Sequence, residues 1–198
     1  MRIRTFSWIL SVLALLLAIF LYVFRNPYWY YPAVIGVWFF FDNLSHLRGQ
    51  KTTLDFLLKS KPRRGLYLYF SLFLLGFFIE IIGRIFLNLW YYPRLPPFVV
   101  NTLTFLFYPF ILMSFRETYV FTQSFFGHPL PSVIMSMLFG ILIWEIPNVY
   151  SQDWVYTILY SSLEAFHINV IVIFGWSILI LAPLYIYKIV IKEKHILD

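Results

Sequence analysis

LYLYFSLFLLGFFIEIIGRIFLN, residues 66–88, sets the class of this protein. Only two side chains in it are charged at neutral pH, Glu80 and Arg84. A helix needs about 20 mostly apolar residues to cross the hydrocarbon of a bilayer, and this stretch has them. Five further stretches read the same way: 7–24, 27–42, 97–115, 130–148 and 164–189. The second is the shortest and ends in Asp42-Asn43. The expectation is an all-α polytopic transmembrane bundle of about six spans, in a single domain over 1–198.

Composition agrees. Hydrophobic residues make up 61% of the chain and charged residues 12%, about half the charge of an ordinary soluble domain. A chain of 198 residues has too much surface for its volume to hide that much apolar area from water. There is no cysteine, which excludes disulfides, thiolate metal sites and cysteine nucleophiles. The run from Ser7 to Phe24 is long for a signal peptide, and no small-x-small cleavage site follows it. It reads as a retained first helix.

The net charge of +6 does not point to nucleic acid, because the cations lie in short stretches between apolar runs. Arg48, Lys51, Lys59, Lys61, Arg63 and Arg64 crowd the 43–65 connection, whose Leu54, Phe56, Leu57 and Leu58 suggest a helix lying at the interface. With six spans, this loop falls on one side together with Arg2, Arg4, Arg116, Lys188, Lys192 and Lys194. Only Arg25 and Arg94 fall on the other. The positive-inside rule then places both termini in the cytoplasm, with the protein integral to the plasma membrane.

Trp29-Tyr30-Tyr31-Pro32 is echoed by Trp90-Tyr91-Tyr92-Pro93 and more faintly by Trp154-Val155-Tyr156. Glutamates precede the second and third copies, Glu80 and Glu145. Three helical-hairpin repeats explain this pattern; so does an interfacial belt of tryptophan and tyrosine.

An ionisable group inside a membrane costs roughly 3 kcal/mol or more, so it needs a partner, a cavity or a function. Glu80, Arg84 and Asn88 fall at i, i+4 and i+8, one face of a helix. Glu145 and Asn148 share a face near Pro147. Glu164 and His167 form an E-x-x-H pair, which in di-iron bundles supplies two ligands but occurs there twice; a mononuclear site with Glu80 or Glu145 is the metal alternative. By depth, all of these lie in the outer half of the membrane, roofed by Trp90, Tyr91, Tyr92, Trp154 and Tyr156. Catalytic candidates are therefore Glu80, Glu145, Glu164, Arg84 and His167, as acids and the groups that tune them. Asn88, Trp90, Tyr91, Asn148 and Trp154 are candidate substrate contacts. Asp42, Asn43, His46 and Glu117 read as membrane-boundary polarity. No nucleotide-binding, zinc-protease or serine-hydrolase motif is present, and no cofactor is expected.

Asp42-Asn43-Leu44, Gly49, Glu80 with Trp90-Tyr91-Tyr92, Pro109, Glu117, Leu163-Glu164 and Phe174-Gly175-Trp176 together resemble a group of uncharacterised multi-pass membrane proteins of bacteria and archaea. Those relatives carry an Asn where Gly83 stands here. The resemblance implies a fold, not a reaction. A more distant, architectural likeness is to membrane-bound lycopene cyclase domains, which also consist of hairpins with buried carboxylates and no cofactor.

The functional expectation is an apolar small molecule, a lipid or isoprenoid, bound in an outer-leaflet cleft headed by carboxylates, with acid–base isomerase or cyclase chemistry. The alternative is a non-enzymatic accessory subunit or small transporter whose buried polar residues tie helices together.

Overall fold

The computed structural model describes residues 2–157, 164–165 and 168–191. It is all-α but for two short strand pairs. Helix α1 spans Arg2–Val23. Its buried residues, Ser7, Ser11, Ala14 and Ala18, recur at steps of four and three, so a stripe of small side chains faces the next helix while large ones point outward. Close approach follows: Ser11 Oγ donates to the Gly36 carbonyl at 2.8 Å, and a Cβ on Gly36 would stand 2.7 Å from Leu15 Cγ. The partner is α2, Tyr30–Leu47, most of whose length is buried. The 43–65 connection contains one short helix, α3, Thr53–Lys59.

Helix α4 runs Pro62–Glu80, with the proline at its first position, where the missing N–H is harmless. It buries a narrow seam, Leu68, Leu72, Gly76 and Glu80. Over Ile81–Phe86 the helix widens into π turns, with Leu87 N–H donating to Ile82 O at 2.9 Å, and Asn88 at φ 47 ends it. Helix α5, Pro97–Phe126, is the most buried of the four helices long and apolar enough to span and stops at Gly127 in the left-handed region, φ 66. Helix α6, Pro129–Ser151, shows Ser132, Ser136 and Gly140 along its seam and a second π segment, Ile141–Glu145. Pro147 follows within four residues of Ile143, which removes the N–H that the Ile143 carbonyl would accept from. Helix α7 is Val170–Ile191.

Arg4, Asp42, Thr53, Glu117 and Tyr187 meet at one end of the bundle. Glu80, Glu145 and Trp176 lie at the other. Helices α1, α4 and α6 therefore run away from the basic end, and α2, α5 and α7 return to it. Among the described residues, four helices are long and apolar enough to cross a membrane: α1, α4 with its π extension, α5 and α6. Exposed leucine, isoleucine and phenylalanine cover the bundle's outside, as on Leu13, Leu16, Phe20, Phe70 and Leu138.

Several expected boundaries shift. Helix α2 begins at Tyr30 rather than 27 and takes the longer of the two extents open to it, running on to Leu47; α5 extends to Phe126 rather than 115. The last helix starts at Val170, not 164. Glu164–Ala165 instead forms strand β3, paired antiparallel with β4, Ile168–Asn169. The expected helix at the interface is only the seven residues of α3.

Candidate functional site

At the end opposite the basic loop, β1 (Trp90–Tyr91) pairs antiparallel with β2 (Val155–Tyr156), Trp90 facing Tyr156. This joins the α4–α5 hairpin to the α6–α7 hairpin. Side chains alternate sides along extended backbone. Trp90 and Tyr92 therefore turn inward, and Tyr91 is 46% exposed. Tyr92, and not Tyr91, lines the cavity at this end.

Each hairpin buries one carboxylate and supplies its donors. Glu80, 1% exposed, accepts at Oε1 from Tyr108 OH at 2.6 Å, Tyr92 OH at 2.7 Å and Trp90 Nε1 at 3.3 Å. Its Oε2 accepts from Arg84 Nε at 2.8 Å, and Arg84 also donates to Asn101 Oδ1 at 2.8 Å. Glu145, 2% exposed, accepts at Oε1 from Tyr156 OH at 2.7 Å and Trp176 Nε1 at 3.2 Å. The correspondence extends to the helix seams. A Cβ on Gly76 would lie 2.4 Å from the Tyr108 ring, and one on Gly140 2.6 Å from Trp176. In each case the glycine a turn before the glutamate admits the ring that hydrogen-bonds to it.

The two differ in charge balance. Glu80 is ion-paired with Arg84; Glu145 has no cationic partner among the described residues. They differ also in access. Glu145 lines a cavity of about 800 Å³ together with Tyr30, Trp90, Tyr92, Trp144 and Trp154, whereas Glu80 stands behind its phenol and indole donors. The cavity opens sideways at Phe78, Ile82 and Ile178, which line it and are 56%, 50% and 64% exposed. Burial, and next the Glu80 charge, raises the Tyr92 phenol well above its ordinary range. Burial and Glu145 do the same to Tyr156. Both phenols remain protonated donors.

Two further expectations change, and a third falls outside the described residues. Asn88 is exposed, off the face of Glu80 and Arg84, because the π turns break the four-residue spacing. Its left-handed backbone ends the helix, and its carbonyl accepts from Thr157 Oγ1. Asn148 is a bracket rather than a ligand contact: its amide donates to Trp154 O at 2.8 Å and accepts from Trp154 N at 3.0 Å, closing the turn that aims Trp154 at the cavity. His167 lies outside the described residues, and of Glu164 only the backbone is described, so the side chains of the E-x-x-H pair, and with them its metal reading, fall outside the described structure.

Two groups escaped the sequence. Asp153, 2% exposed, lines the same cavity. It accepts from Trp29 Nε1 at 2.5 Å and from Arg94 Nη1 at 3.0 Å. Arg94 also reaches the carbonyls of Ser151 and Arg25, so one guanidinium clasps three hairpin turns. Trp29 stacks on Trp154, centroids 6.4 Å apart. Proximity of Asp153 to Trp154, in a copy of the Trp/Tyr motif, is the signal the sequence offers.

The second is at the basic end. Asp42, Asn43 and Glu117, expected at a wet boundary, are almost wholly buried. Arg4 pairs with Asp42 and Asp55, and Ser7 Oγ donates to Asn43 Oδ1 at 2.8 Å. Asp42 accepts from Leu54 N–H at 2.8 Å and Glu117 from Thr53 N–H at 2.9 Å, so two carboxylates cap α3. Thr53 Oγ1 gives its proton to Glu117, and therefore accepts from Tyr187 OH at 2.7 Å. Arg116 pairs with Glu117 at 2.6 Å and lies over the Tyr187 ring. At Asp55, burial pushes the carboxyl up, but hydrogen bonds from Arg4 and His46 and their charges outweigh it and hold it at about 2.

Comparison with models of protein families, with curated proteins and with solved structures found no match to this chain.

Proposed function

We propose that the protein binds an elongated apolar molecule, a lipid or isoprenoid, in the cavity between the α4–α5 and α6–α7 hairpins, and moves a proton on it through Glu145. One observation carries this reading: a buried carboxylate held by phenol and indole donors, with no cation beside it among the described residues, forms part of an aromatic cavity wall. The volume suits a small-molecule site, and the opening at Phe78, Ile82 and Ile178 faces the surface that lipid would cover. Protonation of an alkene carbon by Glu145, with return of a proton from the neighbouring carbon to the carboxylate, isomerises a double bond and leaves atoms and charge balanced. The faces of Trp144, Trp154 and Tyr30 would stabilise the cation between the two steps. Glu80 fixes the wall that Trp90, Tyr92 and Tyr108 present. This reading agrees with the architectural likeness to membrane-bound lycopene cyclase domains.

The same reading takes the six long alternating helices as six spans arranged in three hairpin repeats. The positive-inside rule then puts the termini in the cytoplasm and the cavity in the outer half of the plasma membrane. The rival reading, an accessory subunit or small transporter tied together by polar groups, fits Glu80, whose donors satisfy both oxygens. It does not account for Glu145 on a cavity wall.

The test is to purify the protein in mild detergent and identify by mass spectrometry what co-purifies. One enriched lipid or polyene is expected, lost in Glu145→Gln while the fold persists. Bulk lipid alone in the wild type, or unchanged retention and turnover in the variant, overturns the proposal.

A further inference from the structure

A second cavity, of about 520 Å³, lies at the opposite end of the bundle, walled by the 43–65 connection with α3, the start of α4, the ends of α2 and α7, and Arg116 of α5. Its lining is cationic. Lys51, Lys59 and Arg64 border it, all three exposed and none in an ion pair among the described residues. The carboxylates nearby are committed elsewhere: Asp55, the one acidic residue of the lining, to Arg4 and His46, Asp42 to Arg4 and the start of α3, and Glu117 to Arg116 and Thr53. Among the described residues the positive charge of the cavity therefore has no counterpart of its own, and like charges gathered around one space repel unless an anion joins them.

The site is also built, not merely charged. Arg116, 2% exposed, forms part of the cavity wall, and its guanidinium is fixed by Glu117 on one side and the Tyr187 ring on the other. A planar, preorganised fork of donors is what phosphate oxygens bind best. Ser60 Oγ, also in the lining, is buried and makes no hydrogen bond among the described residues, so a hydroxyl donor is left over beside those cations. Phe56 and Ile191 supply apolar wall, and helices α1, α4 and α6 start at this end, where a membrane interface would lie.

We infer that this cavity is a binding site for a phosphate ester, with Arg116 as its buried anchor, Lys51, Lys59 and Arg64 as outer counter-charges and Ser60 as a neutral donor. The phosphate can belong to an anionic lipid headgroup or to a soluble phosphate ester. The site is independent of the carboxylate cavity.

Two double variants of equal charge test it: Lys59→Ala with Arg64→Ala inside the cavity, and Lys61→Ala with Arg63→Ala, neighbours that do not line it. Binding of phosphatidylglycerol, against phosphatidylcholine, is measured by native mass spectrometry of the whole chain in neutral detergent. A loss of about tenfold or more is expected for K59A/R64A, the scale of one charge-assisted contact. K61A/R63A should stay within about twofold, since neither side chain lines the cavity and exposed charges that make no direct contact act weakly through solvent. Equal losses in the two variants, or no preference for the anionic lipid and no response to inorganic phosphate, overturns the inference. Inorganic phosphate at millimolar concentration then separates the sources. Competition with the lipid, and a raised Tm with phosphate alone, assigns a soluble ester; undisturbed lipid binding assigns the headgroup.

Discussion

Replacing Glu80 by leucine should destabilise the bundle by about 3 kcal/mol, and restoring apolar partners should recover most of it. The magnitude follows from what the carboxylate holds. Tyr108, buried at 7% exposure, donates its hydroxyl to Glu80 at 2.6 Å; stranding that donor costs about 2 kcal/mol. Tyr92 at 2.7 Å is half-buried beside the cavity, and its loss costs about 1 kcal/mol. Trp90 at 3.3 Å is too long and too wet to add much. Arg84 keeps Asn101 and reaches solvent, so its freed charge is discounted. About 3 kcal/mol corresponds to a fall in Tm of roughly 6 to 12 °C for a chain of this size. Thermal unfolding in detergent, followed by tryptophan fluorescence, reads it. The triple variant E80L/Y92F/Y108F removes the stranded hydroxyls together with the carboxylate, and should regain about 2 kcal/mol. A Tm for E80L within about 1 °C of wild type, or a triple variant no better than the single, would refute the view of Glu80 as the tie between α4, the Trp90–Tyr92 strand and α5.

At the basic end, Asp55 sits at about 2 against an ordinary 3.8. A lowered carboxyl stabilises the fold above the unfolded value and loses that contribution as pH falls through the folded one, so Tm should drop between about pH 4 and pH 2. The Asp55→Asn variant should start lower and lack that component of the drop; an identical acid profile contradicts the pairing with Arg4 and His46. At Gly83, an added Cβ would fall 1.9 Å from Trp90 Cη2. Gly83→Ala must therefore swing the ring off Glu80 and into the cavity, at about 1–3 kcal/mol, with a changed tryptophan emission and less co-purifying ligand. Unchanged emission argues against that packing.

Much of the bundle is legible because it depends on local length and composition: the apolar runs at 7–24, 66–88 and 130–148 each coincide closely with a helix long enough to span. Depth alone also brings Glu80 and Glu145 into one layer with Trp90 and Trp154, as the structure does. What spacing cannot reveal is of two kinds. The π turns after Glu80 and before Ile146 break the four-residue periodicity that would set Asn88 beside Glu80, and the strand at Trp90–Tyr91 turns Tyr92, not Tyr91, toward the site. The network around Asp42 and Glu117 joins residues far apart in the chain, such as Arg4 with Asp42 and Thr53 with Tyr187. Separated so far, a buried ion and a wetted one look alike.

The partners of Glu80 and Glu145 are near neighbours by comparison. Among the described residues, the side chains that donate to either glutamate come from its own hairpin: Arg84, Trp90, Tyr92 and Tyr108 for one, Tyr156 and Trp176 for the other. During synthesis each acid thus reaches the bilayer shortly before the groups that neutralise its need for water. Neither hairpin has to wait for the rest of the chain before it can leave the translocation machinery for lipid. The strand bridge between Trp90 and Tyr156 is then the late event. Until it forms, the future cavity is a cleft open on one side, and under the proposed function a ligand would be enclosed as the protein matures, without having to find a finished door.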